Sequence, residues 1–310
     1  TTPGAVSPPA AVVQYESPAT PVAPPVDPAA SLAGVKASPS YRTAAATAPA
    51  YRGKVRLFIV GMGPGGSDLV TIRALKTIES ADVIFCEDVM QRTYAEFLQG
   101  KDVRGSWQGV FYYKGKNYLD LRGDEAKEFI RVVQSRGEKV AQEIRDLIAQ
   151  GKTVAILEFG DPLIYGPIRH YMRFFRDEEF EVVPGLSALN AANALLKRET
   201  AMTSGSSTLI LAAPFGARDR KDDLESVAAL QSTIVIYMGL QRLPQIVGAL
   251  SKHYSGSTPV AIVYWAGLPD RQKILRSTLD RIVDDAAKED RNAIGLIYVG
   301  RFLGKSFAGD

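Results

Sequence analysis

Three times between residues 55 and 196, an apolar run of strand length ends in a glycine- or proline-rich turn and opens into an amphipathic stretch. Residues 55–60 (VRLFIV) lead through Gly61-Met62-Gly63-Pro64-Gly65-Gly66 into a predicted helix over 68–80, with Ser67 placed to cap it. Residues 154–159 lead through Gly160-Asp161-Pro162-Leu163-Ile164-Tyr165-Gly166 into a helix over 168–175. Residues 181–183 turn at Pro184-Gly185 into a helix over 187–196. A further strand is predicted at 82–86 and a helix at 138–150 that Gly151 closes. Repeated βα units of this kind require a largely parallel sheet, and open sheets of that type bind ligands at the carboxyl ends of their strands.

Beyond Thr203 the texture changes to strand-like runs at 208–212, 233–237, 260–265, 273–277 and 294–299 with fewer helices. This predicts a second α/β domain with antiparallel pairing. The expected organisation is therefore two α/β domains, 53–204 and 205–310. They are preceded by a Pro/Ala-rich segment, 1–52, which holds 10 of the 18 prolines and only five charged residues. That segment has no apolar period and reads as an extended tether outside the core, with the strings around Pro24 and Pro25 as a conceivable recognition element.

Composition removes several classes. A net charge of +3 is too small for binding along a nucleic-acid backbone. One cysteine, Cys86, and two histidines, His170 and His253, make neither a disulfide nor a zinc cluster. Cys86 and His253 read as structural. No apolar run reaches the length of a membrane span.

Gly61, Gly63 and Gly66 satisfy G-x-G-x-x-G, with Glu87 and Asp88 about 20 residues further on. On pattern alone this suggests a nicotinamide- or flavin-dependent oxidoreductase. Pro64 has no N–H to give a pyrophosphate, however, and the turn delays helix entry to Ser67 or Asp68. A structural tight turn and a turn lining some other ligand remain as readings beside the dinucleotide site. In the second loop, Gly160 permits close approach of backbone to a ligand. Asp161 either attracts a ligand cation or fixes the turn by accepting from nearby N–H groups.

The segments GMGPGGSDLVTIRALKTIESADVIFCE, GDPLIYGP and EVVPGLSALNAANALL, in that order, resemble the tetrapyrrole (corrin/porphyrin) methylase family. TIVIYMGLQRLPQIVGAL, TPVAIVYWAGLPDRQKI and AIGLIYVGRFLG extend the resemblance from about Val55 to Leu303. The resemblance implies two α/β domains with S-adenosylmethionine in the cleft between them, a tetrapyrrole substrate, a homodimer and a cytoplasmic location. Matched position by position, it implies cofactor contacts at Pro64, Phe159, Gly160, Asp161, Ile164, Ser187, Ala188, Met238 and Ala266, with Leu296 weaker. GDPLIYGP and RLPQIV lean toward the precorrin-2 C20 type, IYGPIRHYM and IVYWAGLPD toward the precorrin-4 C11 type.

A macrocycle bearing many carboxylates calls for basic groups. Arg92, Lys114, Lys116, Arg122 and Arg169 are the candidates, and His170 follows the second loop closely enough to approach substrate. No acid or base is identified by the sequence. Residues 107–136 form an aromatic and basic insertion. Its Tyr112, Tyr113, Tyr118 and Arg122 are similar to the equipment of peptide-backbone N-methyltransferases of the same superfamily, which is the alternative activity. A noncatalytic binding protein on the same fold is also compatible with the sequence.

Overall fold

The computed structural model describes residues 12–13, 55–105, 112–114, 116–117, 121–168, 172–201, 206–213, 223–290 and 293–304. The first unit is a five-stranded, all-parallel sheet in the order β4-β3-β7-β2-β8. Its strands are β2 (Leu57–Gly61), β3 (Val83–Cys86), β4 (Asp102–Gly105), β7 (Val154–Glu158) and β8 (Phe180–Val183). The three central strands β2, β3 and β7 are apolar almost throughout because helices cover both faces. Phe58, Val60, Ile84 and Leu157 pack with Ala74 and Ile78 of α1 (Ile72–Ser80) and with Met90 of α2 (Asp88–Thr93). Leu57, Ile59, Phe85 and Ile156 pack on the other face against Ala141, Ile144 and Leu147 of α4 (Gly123–Ala149); the short α3 (Ala95–Leu98) lies between α2 and β4 in the chain.

The second unit is a six-stranded mixed sheet, β1-β12-β11-β13-β10-β9. It comprises β1 (Val12–Val13), β9 (Leu209–Ala212), β10 (Thr233–Ile236), β11 (Pro259–Tyr264), β12 (Lys273–Thr278) and β13 (Gly295–Val299). Only β9 and β10 run parallel. One face packs against α6 (Leu224–Ala228), α7 (Leu243–Leu250) and α8 (Ile282–Ala286). The other face, with Val235, Ala261, Val263 and Tyr298, receives Ala192 and Leu196 of α5 (Ala188–Leu196). A helix that follows the first sheet in sequence is thus buried on the second, and Tyr298 ties them by donating to Asn193 Oδ1 at 2.8 Å.

Several expectations shift. The first helix begins at Ile72, not Asp68: Ser67–Leu69 is a single 3-10 turn, and Thr71 is the cap, accepting from Ala74 N at 3.1 Å. The helix predicted over 138–150 is the second half of the 27-residue α4. Its buried face, Ala126, Phe129, Val133, Gly137, Ala141, Ile144 and Leu147, runs at helical spacing straight through Gly137 into the supposed insertion. The 112–117 part of that insertion is a two-stranded hairpin, β5 (Tyr112–Tyr113) with β6 (Lys116–Asn117). Strand β4 was not expected. Within the segment read as a tether, Val12 and Val13 pair antiparallel with Leu275 and Ile274 at the edge of the second sheet. The helix over 168–175 is described only at its ends, where Met172 N donates to Ile168 O at 2.9 Å.

The carboxyl ends of β2, β7 and β8 meet through glycine. Gly63 and Gly160 form an antiparallel bridge, Gly160 N donating to Gly63 O at 2.7 Å and Gly63 N to Gly160 O at 3.3 Å. A methyl group on Gly61 would lie 2.6 Å from Gly185 N and 2.8 Å from Gly160 O. One on Gly185 would collide with Gly160 O and lie 2.8 Å from Gly61 C. All are backbone atoms, so no side chain can swing away. Gly185→Ala is expected to cost about 3 kcal/mol of stability. Gly100→Ala, where the methyl meets open space and only the φ of +76° is strained, is expected to cost about 1 kcal/mol. Urea unfolding measures both, and equal losses would show that the glycine contact is not a packing constraint.

Candidate functional site

The three turns singled out in the sequence lie side by side on this edge. In the second, Gly160 has φ +70°, and its missing side chain points into open space, with Leu186 O and Ser187 Cα no nearer than 4.0 Å. Asp161 does what a local turn former does: its Oδ1 accepts from Leu163 N at 2.8 Å. Its Oδ2 takes no hydrogen bond from the described residues. In the third turn, Ser187 is buried and forms a capping box, accepting from Leu189 N at 3.2 Å and donating to Asn190 Oδ1 at 3.1 Å. Its own N–H also goes to Asn190 Oδ1, at 2.9 Å, so the donors of Ser187 are already engaged within the helix start. Ala188 opens the helix beside it.

The first turn is braced against the second sheet. Gly66 N donates to Gly267 O at 2.7 Å, and a side chain on Gly267 would come within 2.9 Å of Pro64 Cγ. Pro64 therefore packs on the loop that follows Ala266. The G-x-G-x-x-G turn has Gly66 N–H committed, no N–H at Pro64, and its α-helix delayed to Ile72, so it lacks the converging donors a pyrophosphate requires.

The second sheet contributes two strand ends in strained conformation. Met238 after β10 and Trp265 after β11 have φ of +54° and +51°, and Tyr165 in the second loop has +58°. Left-handed non-glycine residues cost about 1–2 kcal/mol each and persist where surroundings over-determine them. Here Tyr165 Oη donates to Leu211 O at 2.8 Å, its ring lies 4.7 Å from that of Tyr237, and Trp265 N donates to Ile294 O at 3.0 Å. Ala266 is buried in the core face shared with α5. Leu296 is deeper in the same core, only 4% exposed, so its side chain lies within the packing.

Two properties make this edge the candidate binding surface. Phe159, Leu163, Ile164, Leu186 and Met238 are each 37% exposed or more, which is unusual for large apolar side chains brought onto adjacent loops. In addition, the Tyr237 hydroxyl is buried with no hydrogen-bond partner. The Ser187 hydroxyl and the Leu189 N–H face it, but each is bonded within the capping box. Burial raises the Tyr237 pKa, which keeps this hydroxyl a neutral donor. Sequence reasoning passed over Tyr237, Leu163 and Leu186. The signal for Tyr237 was its position at a strand end directly before Met238-Gly239.

At the end of the neighbouring β3, burial first and Asp88 second raise the Glu87 pKa above the usual carboxyl value. Burial, then Asp88 and Glu87, push the Cys86 thiol up to about 12, which leaves it a small buried apolar group as expected.

Of the expected substrate contacts, the described side chains are those of Arg92, Tyr113, Lys114 and Arg122. Tyr113 packs in a tilted contact on Phe129 of α4 at 5.5 Å between centroids, and Lys114 pairs with Glu128 at 3.0 Å. Arg122 precedes α4 and donates to Leu121 O at 2.8 Å. Arg92 is exposed in the last turn of α2. The side chains of Tyr112 and Lys116, and the whole of Tyr118, Arg169 and His170, lie outside the described residues. Among the described residues no group of His, Cys, Asp and Glu could hold a metal ion, and no helix is long and apolar enough to cross a membrane. A separate polar cavity of about 340 Å³, lined by Ser206, Gln231, Tyr254, Thr258 and Arg301 among others, lies at another edge of the second sheet.

Comparison with known proteins accounts for this geometry. The family model for Tetrapyrrole (Corrin/Porphyrin) Methylases matches residues 56–283. A cobalt-precorrin-4 C(11)-methyltransferase of Methanocaldococcus jannaschii is 33% identical over 261 residues, covering 81% of this chain and 90% of the relative. Among solved structures, a cobalt-precorrin-4 methyltransferase of cobalamin biosynthesis is similar with a TM-score of 0.65 at 25% identity, covering 81% of this chain and 96% of its own. A Thermus thermophilus uroporphyrin-III C-methyltransferase complexed with S-adenosylhomocysteine shares the fold, with a TM-score of 0.57 at 20% identity over 80% of this chain and 99% of that one. With three quarters of its length inside the family model and its two sheets built alike, the chain belongs to the tetrapyrrole (corrin/porphyrin) methylase family.

Proposed function

We propose that this protein is an S-adenosylmethionine-dependent methyltransferase acting on a precorrin-like tetrapyrrole, with carbon 11 of the corrin precursor as the position methylated. The observation that carries this reading is the edge where exposed apolar side chains surround an unpartnered buried hydroxyl and a half-used carboxylate. Those groups suit a cofactor with an adenosine body and an amino-acid tail. The C11 assignment follows the relatives whose names carry that activity. A homodimer and a cytoplasmic location belong to the same reading.

When bound, the cofactor supplies a methyl group already activated by its sulfonium, so the protein's task is alignment. Gly160 offers backbone without a side chain in the way, and Asp161 Oδ2 is available to an ammonium group. Tyr237 Oη is available to donate to a carboxylate. Phe159, Ile164 and Met238 cover apolar surface and exclude water. A carbon that gains a methyl must release a proton, and Glu87, at the end of the strand beside β7, is the candidate acceptor. The peptide N-methyltransferase alternative is not favoured: Tyr113 is committed to Phe129 and Lys114 to Glu128.

Titration calorimetry is expected to show S-adenosylhomocysteine binding at one site per chain and no binding of NAD; the opposite pattern would sink the assignment. Tyr237→Phe removes a buried hydroxyl that has no partner in the unliganded chain. It should therefore raise the melting temperature slightly while weakening S-adenosylhomocysteine about tenfold, near 1.4 kcal/mol. Lower stability with unchanged affinity would place the hydroxyl in the fold instead.

Glu87 must be ionised to accept a proton, and its pKa is raised, so turnover should climb as pH rises through that elevated value. Glu87→Gln should abolish the climb and lower kcat while S-adenosylhomocysteine affinity holds. A pH profile shared by wild type and variant would remove Glu87 from the reaction.

A further inference from the structure

At the carboxyl end of α5, about 13 Å along the helix from Ser187, two arginines bond to adjacent backbone carbonyls. Arg198 donates from Nη1 to Lys197 O at 2.8 Å, and its Nε is buried with no hydrogen-bond partner. Arg276 lies on β12 opposite Ala261, on the face that receives α5, and donates from Nη2 to Leu196 O at 3.4 Å. Burial first and the Arg198 charge second lower the Arg276 pKa, which places the two guanidiniums in each other's field. Neither makes an ion pair with a carboxylate among the described residues. Two other arginines show the usual carboxylate pairing: Arg104 is held by Asp102 and Glu143, and Arg176 by Glu178 and Glu179.

Capping the end of a helix explains one donor from each guanidinium, since cations suit the last carbonyls. It does not explain why two half-buried cations are brought to adjacent carbonyls of one helix end, or why an Nε is enclosed with nothing to bond. Groups of this kind are ordinarily paired, and each guanidinium presents a planar fork matched to an oxyanion. The Leu196 and Lys197 carbonyls already take cationic donors, so positive charge stands between the helix end and an incoming anion.

We propose that Arg198 and Arg276 form a binding site for a small oxyanion of the phosphate or carboxylate class, separate from the loop edge that carries the methyltransferase reading. The bound anion bridges the two guanidiniums, satisfies Arg198 Nε and removes the repulsion between them. Because guanidiniums stay charged throughout the working range, occupancy follows the ionisation of the anion and not that of the protein.

The test is thermal unfolding of the full chain in sodium phosphate against sodium chloride at matched ionic strength, with a sodium acetate arm to distinguish the oxyanion classes. Phosphate or acetate is expected to raise the melting temperature by about 3 °C over chloride. Whichever gives the larger shift names the class. Arg276→Gln should abolish the shift. Arg198→Lys, which keeps the charge but loses Nε, should weaken the oxyanion at least about tenfold. Both variants should bind S-adenosylhomocysteine within about twofold of wild type, so this site stands or falls independently of the cofactor reading. No shift beyond chloride, or a shift that survives Arg276→Gln, would overturn the proposal. So would a melting temperature that depends on protein concentration and loses that dependence in Arg276→Gln, which would assign the guanidiniums to a carboxylate of a second copy.

Discussion

Backbone rests directly on backbone where Gly61, Gly160 and Gly185 meet, and the Gly63–Gly160 bridge locks two of the three loops together. Three strand ends are thereby fixed at a spacing that no side chain could share. Everything that follows them in sequence is aimed by that contact: Asp161 into its own turn, Ser187 onto the start of α5, and Phe159, Ile164 and Leu186 outward. The glycines are thus needed for approach between loops as much as for approach to a ligand. Gly160 alone serves both, with its carbonyl against Gly61 and Gly185 and its Cα face open.

The second sheet closes the same region under strain. Tyr165, Met238 and Trp265 are left-handed, and the Tyr165–Leu211 hydrogen bond, the Tyr165–Tyr237 ring contact and the Trp265–Ile294 hydrogen bond hold the first and last of them. The Gly66–Gly267 hydrogen bond ties the first turn to the loop after β11. Binding residues on such a frame lose little freedom when a ligand arrives, which is the structural meaning of preorganisation. Tyr237 shows the cost of that arrangement: a buried hydroxyl stays unpaired because the Ser187 hydroxyl and Leu189 N–H that face it are used to cap α5.

Much of this was legible in the residues. Apart from β1 and β4, the strands of both sheets fell within a few residues of their expected bounds because buried strands read as apolar runs closed by glycine or proline. The three glycine- or proline-rich turns follow β2, β7 and β8 as the apolar runs predicted. What failed has local causes. Thr71 outcompeted Ser67 as a cap because Ser67 is taken into a 3-10 turn. Gly137 looked like a break, yet the apolar face of α4 continues through it from Phe129 to Leu147. Strand β4 carries a single apolar residue, Val103, and is held at the sheet edge by pairing with β3 and by the Arg104 ion pairs, which leave no hydrophobic period. Tyr113, Lys114 and Arg122, singled out by residue type, have partners on or beside α4 that no local pattern displays. For Tyr237 the sequence offered only its place at a strand end before Met238-Gly239; the missing hydrogen-bond partner of its hydroxyl is a tertiary feature that no sequence displays.

The central claim is that one ligand surface is assembled from loops of both sheets at the glycine-locked edge. Amide hydrogen exchange followed by mass spectrometry, with and without S-adenosylhomocysteine, tests it most directly. The account predicts slowed exchange together in peptides covering residues 61–66, 159–166, 185–189, 237–239 and 265–267, with peptides around Tyr113 and around Ser257 unchanged. Protection confined to one sheet, or centred on the cavity near Ser257 and Arg301, would contradict it.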